Sequence, residues 1–196
     1  MSWYALFVES GQEDIVQQSL RSQFSHCIHK AVVPKRMLPE KRNGVFYDVT
    51  KKIFPGYVFI ETRMNPRIFY ELQRLPKFYK LVRNASYLIQ RANKVTHNKE
   101  FLHEIDSEND QYDDLFTYIE DAEMNPIIQL LRKDDTIHYS QVSFQGNFLS
   151  VKSGPLVGLE NSIRRIDKRK RRAKIGLNIM GVEKTIDVGI EIMNSD

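Results

Sequence analysis

Eight Lys and Arg residues occupy the eleven positions from Arg164 to Lys174: Arg164, Arg165, Lys168, Arg169, Lys170, Arg171, Arg172 and Lys174. The chemistry available to such a cluster is anion binding. Cations crowded in this way repel one another, and a polyanion relieves the repulsion. Apolar residues flank the charges, with Ile163 and Ile166 before the densest part and Ile175, Leu177 and Ile179 after it. That alternation predicts the tip and arms of a β-hairpin, with Lys168 to Arg171 at the turn, and argues against a disordered tail. Residues 164–174 contain no aromatic, whereas readers of single strands interleave aromatics that stack on bases. Structured RNA, held through phosphates and read by Arg at base edges, is the ligand this composition predicts.

Two further sets of residues are candidates. Lys35, Arg36, Lys41, Arg42, Lys51 and Lys52 surround Pro39, Asn43 and Gly44. They read either as a solvated loop or extended hairpin, or as a secondary nucleic-acid contact. Phe7, Phe54, Tyr57 and Phe59 form an aromatic set that reads either as core or as a protein interface. Tyr57 and Phe59 share one face of a strand, and Phe7 can join them from a neighbouring strand. His26-Cys27-Ile28-His29 lacks a second Cys/His pair, so no metal site is expected. Gly154 to Gly158 lacks the Gly-Lys-Ser/Thr of a phosphate loop. No catalytic constellation, enzymatic activity or cofactor is expected. A nuclease needs carboxylates clustered near the basic surface, where Asp167 stands nearly alone.

These residues need elements to hold them. Residues 3–8 and 54–60 read as aromatic strands, and Ala31-Val32-Val33 as a short strand stopped by Pro34. Ile15, Val16 and Leu20 recur at helical spacing, as do Ile68, Phe69, Leu72 and Leu75 ahead of Pro76. With Phe78 to Val82 as a returning strand, the N-terminal part is βαββαβ and the fold class is α+β. Asn125-Pro126 predicts a short helix through Leu131 with Pro at its first position. Short β-prone runs at 148–151, 162–166, 173–179 and 185–192 predict a small C-terminal barrel. The division expected is 1–124, including an acidic insert near 96–124, then a connector over 125–145, then 146–196.

The chain has 196 residues and a formal net charge of +4, which hides a strong polarity. Residues 104–123 carry nine carboxylates and no Lys or Arg. Those carboxylates are expected to compete for the basic hairpin. The single cysteine, Cys27, leaves no intrachain disulfide framework. No apolar run approaches a membrane span and no secretion signal is visible, so a cytoplasmic monomer is expected.

Several of these residues carry a resemblance. Trp3-Tyr4, Ser10-Gly11-Gln12-Glu13, Phe54-Pro55-Gly56-Tyr57-Val58 and Leu75-Pro76 resemble the NGN domain of the NusG family of transcription elongation factors. Val151-Lys152-Ser153-Gly154-Pro155-Leu156-Val157-Gly158-Leu159-Glu160, followed by Ile166-Asp167 and Arg172-Ala173, resembles the KOW module, an SH3-like small barrel. The acidic insert, short connector and basic excess look like a specialised paralog and resemble the LoaP antiterminators. The resemblance implies that Phe7, Tyr57 and Phe59, with Phe54, receive the clamp helices of RNA polymerase. It also implies that the KOW part binds an RNA hairpin, a ribosomal or Nus-type protein, or both. The rival expectation is a ribosome-associated or general RNA-binding protein that does not dock on polymerase. Where the family usually has Gly, this chain has Asn161, which tolerates positive φ and is expected to preserve the turn at a small strain.

Overall fold

A computed structural model describes residues 1–82, 117–146, 148–179 and 181–193. The acidic insert therefore lies largely outside the described residues, and only its end, from 117 onward, is seen.

The N-terminal part is an antiparallel sheet of β1 (Ser2–Val8), β2 (Ile28–Val32), β5 (Tyr57–Thr62) and β6 (Phe78–Leu81). Their order across the sheet is β2-β5-β1-β6. Alternation sorts the side chains of β1 and β5 onto two faces. Tyr4, Leu6, Val8, Val58 and Ile60 pack with Val16 and Leu20 of α1 (Glu13–Gln23) and Ile68, Phe69 and Leu72 of α2 (Pro66–Gln73). Asn65 caps α2 by accepting from the Ile68 amide at 2.9 Å, and Pro66 occupies the first turn, where its missing N–H costs nothing.

Trp3, Ala5, Phe7, Tyr57 and Phe59 face the other way. They belong to a second apolar cluster that runs through Met124, Ile127 and Leu130 of α3 (Asp121–Leu130) into Ala173, Ile175 and Leu177. The last three lie on a curled five-stranded sheet. It comprises β8 (Ser140–Gln145), β9 (Phe148–Ser153), β10 (Ile163–Asp167), β11 (Arg172–Ile179) and β12 (Val182–Ile192). Their order is β10-β11-β12-β8-β9. The observed class is α+β, as expected.

One open reading resolves, in favour of the hairpin, and two local expectations change. The stretch over 35–52 is a full hairpin, β3 (Lys35–Arg42) and β4 (Val45–Lys52), closed by Asn43 and Gly44 with φ of +50° and +85°. Two positive φ values in a two-residue turn match the right-handed twist of the arms. The hairpin gains a third, parallel strand, β7 (Thr136–Ile137). Helix α3 begins at Asp121, so Pro126 sits inside it and not at its first position. Finally, β8 falls within the stretch expected to be connector, and it joins the C-terminal sheet.

Candidate functional interfaces

Local packing explains why the motif residues that follow β1 and those that precede β5 occur together, since antiparallel pairing brings them to one end of the N-terminal sheet. The fully buried Glu13 carboxylate accepts from the Gly11 amide at 2.8 Å, the Gly56 amide at 2.6 Å and Lys52 Nζ at 2.5 Å. Gly56 holds φ +82°, and a Cβ there would lie 3.2 Å from the Phe7 ring. Glu13 thus welds the Ser10-Gly11 turn to the bend that starts β5 and aims Tyr57 at Phe7; those rings stand 5.5 Å apart. Burial alone would raise the Glu13 pKa, but the Lys52 ammonium and the Gly56 amide hold it below the ordinary carboxylate range. In the sequence Glu13 stands out only as part of a motif. Its signal is an acid in the first helical turn, a position open to many roles.

The aromatic set is brought together and largely covered. Phe54 and Phe59 meet edge to face at 5.3 Å, and only 6% and 2% of their surfaces are exposed. Phe7 and Tyr57 are half-buried at the border of the same cluster. Lys184 of β12 lies 4.7 Å from the Phe54 ring centre. Tyr57 and Phe59 therefore do not form the open apolar patch that an uncovered docking face presents. Burial pushes the Tyr57 phenol pKa up.

The basic cluster forms the expected hairpin, β10 and β11, with Asp167 paired to Arg172 and the turn at Lys168 to Arg171. Its eight cations have unequal surroundings. Arg164 pairs with Glu183 at 3.0 Å and Lys174 with Asp187 at 3.0 Å. Lys170 lies 4.0 Å from Asp167, and Lys168 lies over the Phe144 ring at 3.7 Å. Arg171, at φ +53°, places its guanidinium 4.5 Å from the Phe46 ring centre. Arg172 donates to the Pro39 carbonyl at 2.7 Å. Arg165 and Arg169 carry no ion pair among the described residues.

The secondary basic set is mostly committed to the protein itself. Lys35 pairs with Asp14 at 2.5 Å, Lys52 with Glu13 and Asp14, and Lys51 with Glu40. Arg36 donates to the Asp187 carbonyl at 2.8 Å, and burial lowers its pKa. Arg42 reaches Glu40 at 3.4 Å. Lys41 lies 5.6 Å from the Phe46 ring centre, so it and Arg171 share that ring. Spacing alone could not show these partners, because Asp14, Glu13 and Asp187 are distant in sequence.

Two smaller expectations resolve. Asn161 lies in a 3-10 turn (Glu160–Ser162) and is not among the described residues with positive φ, so the strain expected there is absent. Gly154 carries the demanding geometry, with φ +98° and a would-be Cβ 2.6 Å from Ser140 Cα. Glu71 joins His26 and Cys27, with their ligand atoms within 4.8 Å of one another. However, Glu71 also accepts from Arg67 at 3.2 Å, and burial followed by the Glu71 charge raises the Cys27 thiol pKa. Among the described residues, no helix is long and apolar enough to cross a membrane.

The family model described as "Transcription termination factor nusG" matches residues 1–99, half of the 196-residue chain. The chain belongs to the NusG family. Similarity to individual NusG proteins extends further, across both sheets. The "Transcription termination/antitermination protein NusG" of Buchnera aphidicola subsp. Acyrthosiphon pisum is 24% identical over 192 residues, covering 95% of this chain and 91% of that one. The protein of the same name from Bacillus subtilis is 23% identical over 193 residues, covering 95% and 94%. A solved structure titled "Domain interaction in Thermotoga maritima NusG" shares the fold, with TM-score 0.50 and 20% identity over 96% of this chain and 93% of that one.

Proposed function

We propose that this NusG-family chain is a transcription antitermination or elongation factor. It docks on RNA polymerase through the face carrying Phe7, Phe54, Tyr57 and Phe59, and it holds a nascent RNA hairpin with the β10–β11 hairpin. The observation that carries the RNA half is the uneven neutralisation of the two basic sets. The β3–β4 cations are answered largely by acids of the same molecule, whereas Arg165 and Arg169 have no ion pair among the described residues and Lys168 and Arg171 lie on neutral aromatic faces. Cations without acids are the ones a phosphate backbone gains by taking.

The test is an RNA affinity series in salt, with a stem–loop RNA and a scrambled hairpin, for the wild type and alanine variants of Arg165, Lys168, Arg169 and Lys170. Removing a cation that touches phosphate should weaken both RNAs alike and reduce the salt slope by about one. An arginine that reads a guanine edge should cost about 1–3 kcal/mol on the cognate RNA only. Unchanged affinities across the series would sink the assignment. Pull-down of core polymerase tests the docking half, with the Tyr57→Ala/Phe59→Ala double variant as the control expected to lose binding. The rival, an RNA-binding protein that does not dock on polymerase, draws on the burial of Phe54 and Phe59, which a purely structural role also produces.

A further inference from the structure

The turn between α1 and β2 and the last turn of α2 meet at a point that neither proposed interface uses. His26 and Cys27 of that turn lie beside Glu71 of α2, and the ligand atoms of the three all fall within 4.8 Å of one another. We propose that this cluster is a site for a divalent transition metal ion of the zinc class, bound by the His26 imidazole, the Cys27 sulfur and Oε2 of Glu71. The sequence offered His26 and Cys27 without a third ligand; the fold supplies it from a distant helix.

Each ligand is positioned by a protein contact of its own. The Cys27 amide donates to the Phe24 carbonyl at 3.0 Å, and the Cys27 carbonyl accepts from the buried Thr62 hydroxyl at 2.7 Å. The thiol reaches the same Phe24 carbonyl at 3.5 Å, and that carbonyl also accepts from the Ile28 amide at 2.7 Å, so it stays satisfied when the sulfur turns to a metal. Arg67 donates to Oε1 of Glu71 at 3.2 Å, while Oε2, the other oxygen, faces Nε2 of His26 at 4.0 Å. Arg67 thus orients the carboxylate and leaves the ligating oxygen open, as partners behind a metal ligand do. The His26 ring stacks on Phe24, with 17° between the planes.

The donor set selects the ion. One nitrogen, one sulfur and one oxygen suit zinc and its neighbours, whereas magnesium and calcium take oxygen throughout. With Cys27 as thiolate the ligands carry two negative charges, which a divalent cation cancels. Tetrahedral zinc separates its ligand atoms by about 3.3–3.8 Å, so the cluster closes by roughly 1 Å on binding. The His26 side chain, 64% exposed, is free to make that move. Three protein ligands leave a fourth position for water. His26 and Glu71 also line a cleft of about 300 Å³ with Arg74 and Leu75, through which solvent reaches it. Cys27 packs against the apolar cluster on the helix-bearing side of the N-terminal sheet, opposite Phe7 and Tyr57. An ion here therefore clamps the α1–β2 turn to α2 and stabilises the sheet from behind.

The experiment titrates the reduced, metal-free full chain with Zn²⁺ and, separately, with Co²⁺. The wild type should take up one equivalent of Zn²⁺, and its thermal midpoint should rise. The Co²⁺ form should show a thiolate-to-cobalt charge-transfer band. Cys27 is the single cysteine, so iodoacetamide labelling reports on it alone, and saturating Zn²⁺ should suppress that labelling. Cys27→Ser and Glu71→Gln should each weaken Zn²⁺ binding by about ten-fold or more. His138→Gln, which removes another histidine–acid pair, with Asp134 at 2.9 Å, should leave it unchanged. No zinc binding by the wild type, a cobalt spectrum without the thiolate band, or labelling that Zn²⁺ does not slow overturns the proposal. So does equal affinity in both ligand variants, which would mark an exposed histidine as the binder. The cobalt and labelling measurements need no variant, so they decide the matter even where a substitution prevents folding.

Discussion

Glu13 shows how one side chain fixes the geometry of a distant site. It satisfies two backbone amides that bends have taken out of the sheet ladder, and it neutralises Lys52 beside them. Glu13→Gln keeps the size but leaves Lys52 with one fewer counter-charge and sets the donor NH2 of the carboxamide against one of the two glycine N–H groups. The expected loss is about 2–3 kcal/mol of unfolding free energy, read by denaturant titration. The pH dependence follows from the direction of the pKa change. Glu13 titrates lower folded than unfolded, so its contribution is complete above the ordinary carboxylate range and disappears as pH falls through the depressed value. The wild type should lose stability on acidification through that window, and Glu13→Gln should lose less. An identical acid slope in both proteins would show that the carboxylate is not held in its charged form. The partners were legible in the sequence, since Gly11, Glu13 and Gly56 all lie in the motifs that carry the family resemblance. The bonds were not, because a motif records which residues occur together and not which atoms meet.

At the scale of elements, apolar periodicity located β1, α1, β5 and α2, and it located the four C-terminal strands from β9 to β12. It decided less where the local signal was mixed. Pro39, Asn43 and Gly44 left 35–52 open between a loop and a hairpin; in the hairpin Pro39 stands in register with Asp48 and its carbonyl accepts from Arg172. Pro126 argued for a helix start, yet Met124 and Ile127 bury one face of a helix that began earlier. Burial of that face outweighs the intrahelical bond that Pro126 cannot donate. The turn after β9 is the sharper case. Asn161 departs from the family pattern without consequence, because its φ is not positive, while Gly154 meets the Ser140 backbone. Gly154→Ala combines a left-handed backbone with an overlap against main-chain atoms that cannot rotate away. It should destabilise by about 3 kcal/mol in a denaturant titration. Asn161→Ala should cost well under a third of that, and the reverse ranking would show that the turn is built around residue 161.

At the scale of the whole molecule, the described sheets behave as one packed body. A single apolar cluster extends from Trp3 to Ile190, with α3 between the sheet of β1 and the sheet of β11. Neither sequence pattern nor family resemblance revealed this, because each sheet is legible from its own period and the contact between them has none. A tight approach between the C-terminal sheet and the sheet of β3 occurs at Gly189, beside Arg172 in the β11–β12 ladder. A Cβ there would overlap the Tyr139 ring and lie 2.8 Å from the Met37 carbonyl of β3. Tyr139 can swing away, but a strand carbonyl within a paired hairpin cannot, so Gly189→Ala should push β12 and β3 apart. Unfolding of the wild type should be one cooperative calorimetric transition, because neither sheet can melt without exposing the shared cluster. In Gly189→Ala the shared contact weakens while each sheet keeps its own hydrogen-bond ladder, so two transitions should separate. If the wild type already melts in two steps, the covered state is a minor conformation in solution. If Gly189→Ala instead lowers a single transition, the apolar cluster from Trp3 to Ile190 holds the sheets together on its own.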